Sequence, residues 1–446
     1  MKLIYTVEDK PKFSQVLVFA FQQLLAIMAA TIAVPMIISG TYDGVGEVSM
    51  SVGAALFGAG IGTLVYVLFT KAKSPVFLGS SFAFLGSMGA AFAGAVTAAA
   101  GFAGLILGAA FAGLVYVVIA LIVKFVGVNW LNKLMPPVVI GPTVAIIGLS
   151  LAGNAVGDLQ TANAGGSTLI AVLCGIVTLL VVCLCSVYGK RMSRLIPFII
   201  GILAGYALAA IFTGIGYATD CTALMICDFS SLTSIDSLIS VPDFTFITAF
   251  KGFGDITGAY VGTIAAAYIP VAFVVFAEHV ADHKNISSII ERDLLEEPGL
   301  HRTLLGDGIG SMVGAFFGGC PNTTYGESIA CVAITGNASV ITIVVTAFLA
   351  IIISFITPIV AFLGSIPSCV MGGVCMSLYG FIAVSGLKML QPVDLGDNRN
   401  LFTASVILIA GIGGLSLNFG AVTITTVATA LILGIIVNII LGKKKA

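Results

Sequence analysis

The sequence predicts an all-α polytopic membrane protein, on three observations. First, 59% of the 446 residues are hydrophobic and only 9% are charged, against about 25% charged in soluble proteins. So much apolar surface cannot be hidden from water, and the bilayer must be the solvent. Second, runs of roughly 20 mostly apolar residues, enough to cross a bilayer, recur along the chain. Third, Lys and Arg collect between alternate runs, as they do in cytoplasmic loops.

About fourteen runs are predicted, near 14–39, 46–70, 75–90, 97–124, 134–153, 167–188, 194–216, 257–281, 302–318, 321–336, 338–363, 366–388, 400–417 and 419–441. The first follows Lys2, Lys10 and Lys12 without a small-residue cleavage site and reads as an uncleaved span. With the N-terminus inside, the inner loops hold Lys71 and Lys73; Lys124 and Lys133; Lys190, Arg191 and Arg194; Lys284, Arg292 and Arg302; and Lys388 and Arg399. The tail adds Lys443, Lys444 and Lys445. Of 19 basic residues only Lys251 then falls outside. The outer loop 217–256 carries Asp220, Asp228, Asp236, Asp243 and Asp255 instead, and its mixture of Phe, Asp, Ser and Thr suggests a surface-lying segment. One miscounted span would scramble this pattern, so an even number of spans with both termini cytoplasmic is expected. The loop 282–301 carries both signs of charge and reads as solvated.

Half of fourteen is odd, so a duplicated seven-span unit must insert its second copy upside down. Such inverted repeats are common in secondary transporters, whose sites lie near short, Gly/Pro-broken segments at matching places in the two halves. The third segment opens Pro75-Val76-Phe77-Leu78-Gly79-Ser80-Ser81-Phe82 and the tenth Pro321-Asn322-Thr323-Thr324-Tyr325-Gly326-Glu327-Ser328. Both suit a short strand better than a helix. Extended backbone at membrane depth is tolerated only where it is buried in protein or lines a cavity.

Two carboxylates sit in such sequence: Glu278, ending the apolar run 268–277, and Glu327. Acids at membrane depth are rare and mark functional sites. Residues four apart share a helix face, so Glu278 stacks with Asp282, and His279 with His283. Two neighbouring carboxylates away from water cannot both ionise cheaply, which makes Glu278 a proton acceptor near neutral pH. The plain alternative for Asp282 and His283 is the wet end of the span. Glu327 follows a predicted strand and opens a half-helix, whose free N–H groups stabilise it and offer donors beside it. An acceptor next to donors suits a ring with alternating N–H and C=O groups, such as a pyrimidine-dione. Gln22 and Gln23 lie in the first apolar run, where a buried amide must find a partner; they either approach Glu327 or pack helices. Tyr325 and Tyr379 either stack on a planar ligand or serve as packing residues.

In order along the chain, Phe21-Gln22-Gln23, Gly79-Ser80-Ser81-Phe82, Ala277-Glu278-His279, Thr323-Thr324-Tyr325-Gly326-Glu327 and Leu378-Tyr379-Gly380 resemble the marks of the nucleobase–ascorbate transporters, and Thr-Thr-Tyr-Gly-Glu those of the bacterial uracil permease branch. The resemblance implies a core domain from the first four spans of each repeat (1–133 and 257–363) and a gate domain from the last three (134–216 and 364–446), with 217–256 as an extracytoplasmic loop. It implies uracil–proton symport at the cytoplasmic membrane by a homodimer in which core moves against gate. By position, the carboxylates of Glu278 and Glu327 would bind uracil, the N–H groups of Phe82 and Gly326 would meet its carbonyls, and Ala30, Tyr325 and Tyr379 would line the pocket. Ser81, Gln22, Gln23, His279 and His283 would support it. Proton coupling would fall to Glu278, Asp282 and Glu327. Two positions depart: the family's usual Gln-His in the first span is Gln22-Gln23, and a His four residues after the eighth-span Glu is Asp282, with His283 next.

A net charge of −1 leaves no nucleic-acid footprint, and no Gly-rich Lys loop for ATP occurs. No cofactor is expected beyond the co-transported proton, and the nine Cys lack metal-ligand spacing. Cys221 and Cys227 share a loop, where a disulfide or two thiols fit equally well. Rival readings are a transporter of xanthine or urate, an anion exchanger on the same architecture, and an intramembrane metallohydrolase using His279, Asp282 and His283.

Overall fold

The computed structural model describes residues 3–127, 134–162, 164–190, 192–233, 235, 237–418 and 423–442. Lys2, Lys133, Arg191, Asp236, Lys443, Lys444, Lys445 and the first four residues of the last predicted span lie outside the described residues. The chain is mostly helical. Its principal helices are α1 (Phe13–Ile38), α2 (Val52–Phe69), α3 (Leu85–Ala93), α4 (Ala98–Val126), α5 (Pro137–Ser150), α6 (Thr168–Tyr188), α7 (Pro197–Thr219), α8 (Gly258–Ile290), α9 (Leu300–Gly318), α10 (Gly326–Thr335), α11 (Val340–Ser354), α12 (Ser368–Lys388), α13 (Asn398–Ile412) and α14 (Thr426–Gly442). Among the described residues eight helical stretches are long and apolar enough to cross a membrane: α1, α2, α4, α5 with its continuation to Leu159, α6, α7, α8 and α12.

Strand β1 (Leu78–Ser80) precedes α3, and β2 (Asn322–Thr324) precedes α10. They pair antiparallel, Leu78 opposite Thr324, Gly79 opposite Thr323 and Ser80 opposite Asn322. The pairing satisfies backbone groups that no helix would satisfy at this depth.

The helices pack in two groups. In one, α2 lies against α9 and α11, α4 against α8 and α9, and α1 against α10 and α11. In the other, α12 packs on α5 and α6, α6 on α7, and α13 on α5 and α14. Glycines allow the closest approach in the first group. A Cβ on Gly58 would stand 2.5 Å from the Gly314 carbonyl oxygen, and one on Gly62 2.8 Å from that of Gly310. Asn322 reaches into this seam and donates from Nδ2 to the Gly58 carbonyl at 3.0 Å.

Three predicted boundaries differ. Helix α8 does not stop at 281 but runs to Ile290, so the charged stretch 282–290 is helix, and His283 is fully buried. Asp282 and His283 turn to protein while Lys284, Asn285 and Ser288 are exposed, a split that sequence hydropathy cannot see. The predicted run 338–363 is two helices, α11 and Thr357–Gly364; Pro358 lacks the N–H that would continue the first and starts the second. The stretch 217–256 is more than a surface strip: Thr245–Gly252 is a helix packed on α4, and Phe246 stacks on Phe316 at 4.8 Å. Cys221 and Cys227 are free thiols.

Candidate functional site

The strand pair places two helix starts at one cavity. Phe82 begins the 3-10 turn Phe82–Phe84 that leads into α3, and Gly326 is the first residue of α10. The leading N–H groups of a helix have no intrahelical acceptors and carry partial positive charge. Both residues line a cavity of about 500 Å³ together with Glu278, Asp282, Tyr325 and Glu327. The volume lies within the range typical of small-molecule sites.

Each carboxylate owes its place to its element. Glu278 and Asp282, one turn apart on α8, face the cavity, and Thr324 of β2 donates its hydroxyl to Asp282 Oδ2 at 2.7 Å. Glu327 stands in the first turn of α10. Next to it, the Ser328 hydroxyl accepts from the Phe77 amide at 3.0 Å and from the Gln23 side-chain amide. Gln23 therefore braces the residue beside Glu327 from α1, while Gln22 is half-buried. Tyr325 lies across β1 with its hydroxyl donating to the Ser80 carbonyl at 2.8 Å. Only glycine at 79 permits this, because a Cβ there would meet the tyrosine ring at 2.3 Å.

Two residues assigned to the pocket wall stand elsewhere. Ala30 is buried in α1, at 1% exposure, and Ala26, one turn earlier, lines the cavity instead. Tyr379 sits edge-on behind Phe82, with ring centroids 5.9 Å apart; Leu378, Phe381 and Ile382 of α12 form that wall. Ser81 lines the cavity as expected from its place beside Phe82. Among the described residues Arg194 is the one basic residue of the lining, and its Nε donates to the Ser186 carbonyl at 3.2 Å.

His279 and His283 are absent from the cavity lining. They stack at 4.0 Å within a buried polar chain that includes Asp307, an acid the sequence reading passed over. The same signal that marks Glu278, a carboxylate amid apolar sequence, would have found it. His279 Nδ1 meets Asp307 Oδ2 at 2.7 Å, and Nε2 meets the Thr303 hydroxyl at 3.0 Å. That hydroxyl already donates to the Leu300 carbonyl, so His279 Nε2 must donate to it. The Nδ1–Oδ2 contact then holds one further proton, shared between imidazole and carboxylate. His283 Nδ1 donates to the His279 carbonyl at 2.8 Å, and Nε2 meets the Tyr66 hydroxyl at 2.6 Å. All four nitrogens of these two imidazoles are engaged within the protein.

The profile of the Permease family, of xanthine–uracil type, matches residues 14–420. The chain belongs to the xanthine–uracil permease family. The uracil permease of Bacillus caldolyticus is 39% identical over 449 aligned residues, covering 100% of this permease and 96% of that protein. The uracil permease of Bacillus subtilis (strain 168) is 38% identical, covering 98% and 95%. The transmembrane domain of the cyanobacterial bicarbonate transporter BicA aligns with a TM-score of 0.58 at 15% identity, over 96% of this permease and 99% of that chain, which shows a shared fold. The permease is a membrane transporter and not an enzyme.

Proposed function

We propose that this permease imports uracil together with a proton. One observation carries the reading: two acids of the second half of the chain, Glu278 and Glu327, face a single cavity into which helix starts from both halves, at Phe82 and Gly326, also open. Glu327 accepts from a ring N–H. The Phe82 and Gly326 amides donate to the ring carbonyls, and protonated Glu278 supplies a further donor. Phe82 and Tyr325 offer flat apolar surface. Among the described residues three carboxylates and one guanidinium, that of Arg194 just ahead of α7, line the cavity, an arrangement that disfavours anion exchange.

In this reading the chain crosses the membrane fourteen times as two inverted seven-span repeats, with both termini in the cytoplasm, and works as a homodimer in the cytoplasmic membrane. The helix group around β1 and β2 is the core and the group around α12 the gate. Arg194, on a basic inner loop, lines the cavity, which supports a site open to the cytoplasm. Outside, Glu278 is protonated and uracil enters; the core shifts past the gate; inside, proton loss weakens binding. A charge crossing the membrane gains about 2.3 kcal/mol per 100 mV, enough to drive accumulation without ATP.

The test is radiolabelled uracil uptake in proteoliposomes with and without a pH gradient, with xanthine, urate and bicarbonate as competitors. Uptake is expected to concentrate uracil when the outside is acidic, to collapse with a protonophore and to ignore bicarbonate. Glu278→Gln is expected to equilibrate uracil without concentrating it; concentration by that variant would remove Glu278 from the coupling step.

A further inference from the structure

The segment ahead of α1 is tied to the far ends of both acid-bearing helices. The Gly336 carbonyl accepts from the amides of Ile4, at 2.7 Å, and Tyr5, at 3.2 Å. In return Ala338 donates to the Tyr5 carbonyl at 2.9 Å and Val340 to that of Val7 at 3.2 Å. The Ser339 hydroxyl donates to the Asp9 carbonyl at 2.6 Å, and the Val7 side chain is buried in the core. These partners follow directly on α10, which ends at Thr335. Glu8 forms an ion pair with Arg292, two residues beyond the end of α8 at Ile290. One strap thus joins the ends of the helix that carries Glu278 and the helix that carries Glu327.

We propose that residues 3–9 act as a clamp that fixes the separation of Glu278 and Glu327, so that Glu8, Arg292 and Ser339 are positioning residues for transport. Its functional half rests on the reading of those acids as ligands of uracil. Helix α10 has ten residues, about 15 Å at 1.5 Å per residue. A tilt of about 4° at its tied end displaces the other end by about 1 Å, enough to spoil a hydrogen-bonding constellation that tolerates about 0.5 Å. The ion pair is half-exposed on both sides and contributes little alone. The backbone bonds carry the clamp, and the ion pair links it to α8.

The experiment replaces residues 3–9 by a Gly/Ser segment of equal length in the full chain. It reads amide hydrogen exchange over 326–335 and the KM and Vmax of uracil uptake. Exchange in α10 is expected to rise about tenfold or more while protection of α2 and α9 holds. KM is expected to rise about fivefold with Vmax little changed. A second arm uses Glu8→Arg, expected to raise KM about twofold, and adds Arg292→Glu, expected to restore it. Unchanged exchange and KM in a folded replacement would overturn the clamp. If the replacement does not fold, Ser339→Ala and the charge swap decide: unaltered α10 exchange in both overturns it equally. Should the unaltered protein take up no uracil, the transport reading fails, while the exchange measurement still judges the clamp.

Discussion

The two half-sites share a backbone and differ in chemistry. Each is a three-residue strand leading into a short helix whose start opens on the cavity. The β1 side brings Ser81, Phe82 and Ala83, with no ionisable group; the β2 side brings Tyr325, Gly326 and Glu327. The glycines differ too. Gly79 is pressed against the Tyr325 ring, whereas a Cβ on Gly326 would meet nothing within 4 Å. The two sides share a frame, and only one of them carries the charge. In the proposed function, a planar ligand lying between them is held by backbone donors on both sides and by a carboxylate on one, which fixes which edge of the ring faces which half.

That asymmetry can be broken in steps. The largest effect is expected from Glu327→Gln, which removes the only carboxylate of either half-site. Uracil uptake efficiency should fall about 100-fold, roughly 2.7 kcal/mol, the scale of a charge-assisted hydrogen bond; initial-rate uptake measures it, and a loss under tenfold would shift the burden to the backbone donors. Next comes Gly79→Ala. The added methyl must displace Tyr325 or the strand, at a cost of about 1–3 kcal/mol, seen as a lowered unfolding midpoint in detergent together with weaker uptake. The smallest is Gly326→Ala. Its open surroundings predict unchanged stability and a KM increase of only a few-fold, about 1 kcal/mol of steric interference at the ligand. Equal damage from the two glycine substitutions would contradict the difference between the halves.

Much of this arrangement is legible in the residues, for identifiable reasons. Proline followed by β-favouring residues announces extended backbone at both half-sites, and an acid within apolar sequence announces the cavity. Two kinds of information are lost. Hydropathy treats a polar residue facing a buried partner as one facing water, so α8 is read as ending before Asp282 although His283 is covered by Tyr66. A resemblance carried over by position also fixes a helix face only to within a turn, so it implies Ala30 where Ala26 stands and Tyr379 where Leu378 and Phe381 stand. Asp307 was legible by the rule that marks Glu278, as an acid inside the predicted run 302–318. The Gly79–Tyr325 fit joins positions 246 residues apart and has no local signature.

Asn322 has a consequence beyond its hydrogen bond. A Cβ on Gly62 or Gly314 would collide with its amide, at 2.5 and 2.1 Å, so it sits like a key in a slot cut between α2 and α9. Together with the strand pair and the Tyr325 hydroxyl on Ser80, it stitches the two half-sites into one cassette. Such a cassette cannot free its cargo by gaping at the seam, since that would strand several backbone groups away from water. Within the proposed cycle, the binding constellation must therefore travel intact, like a sealed capsule passed through a wall, and release must come from what its surroundings and its protons do.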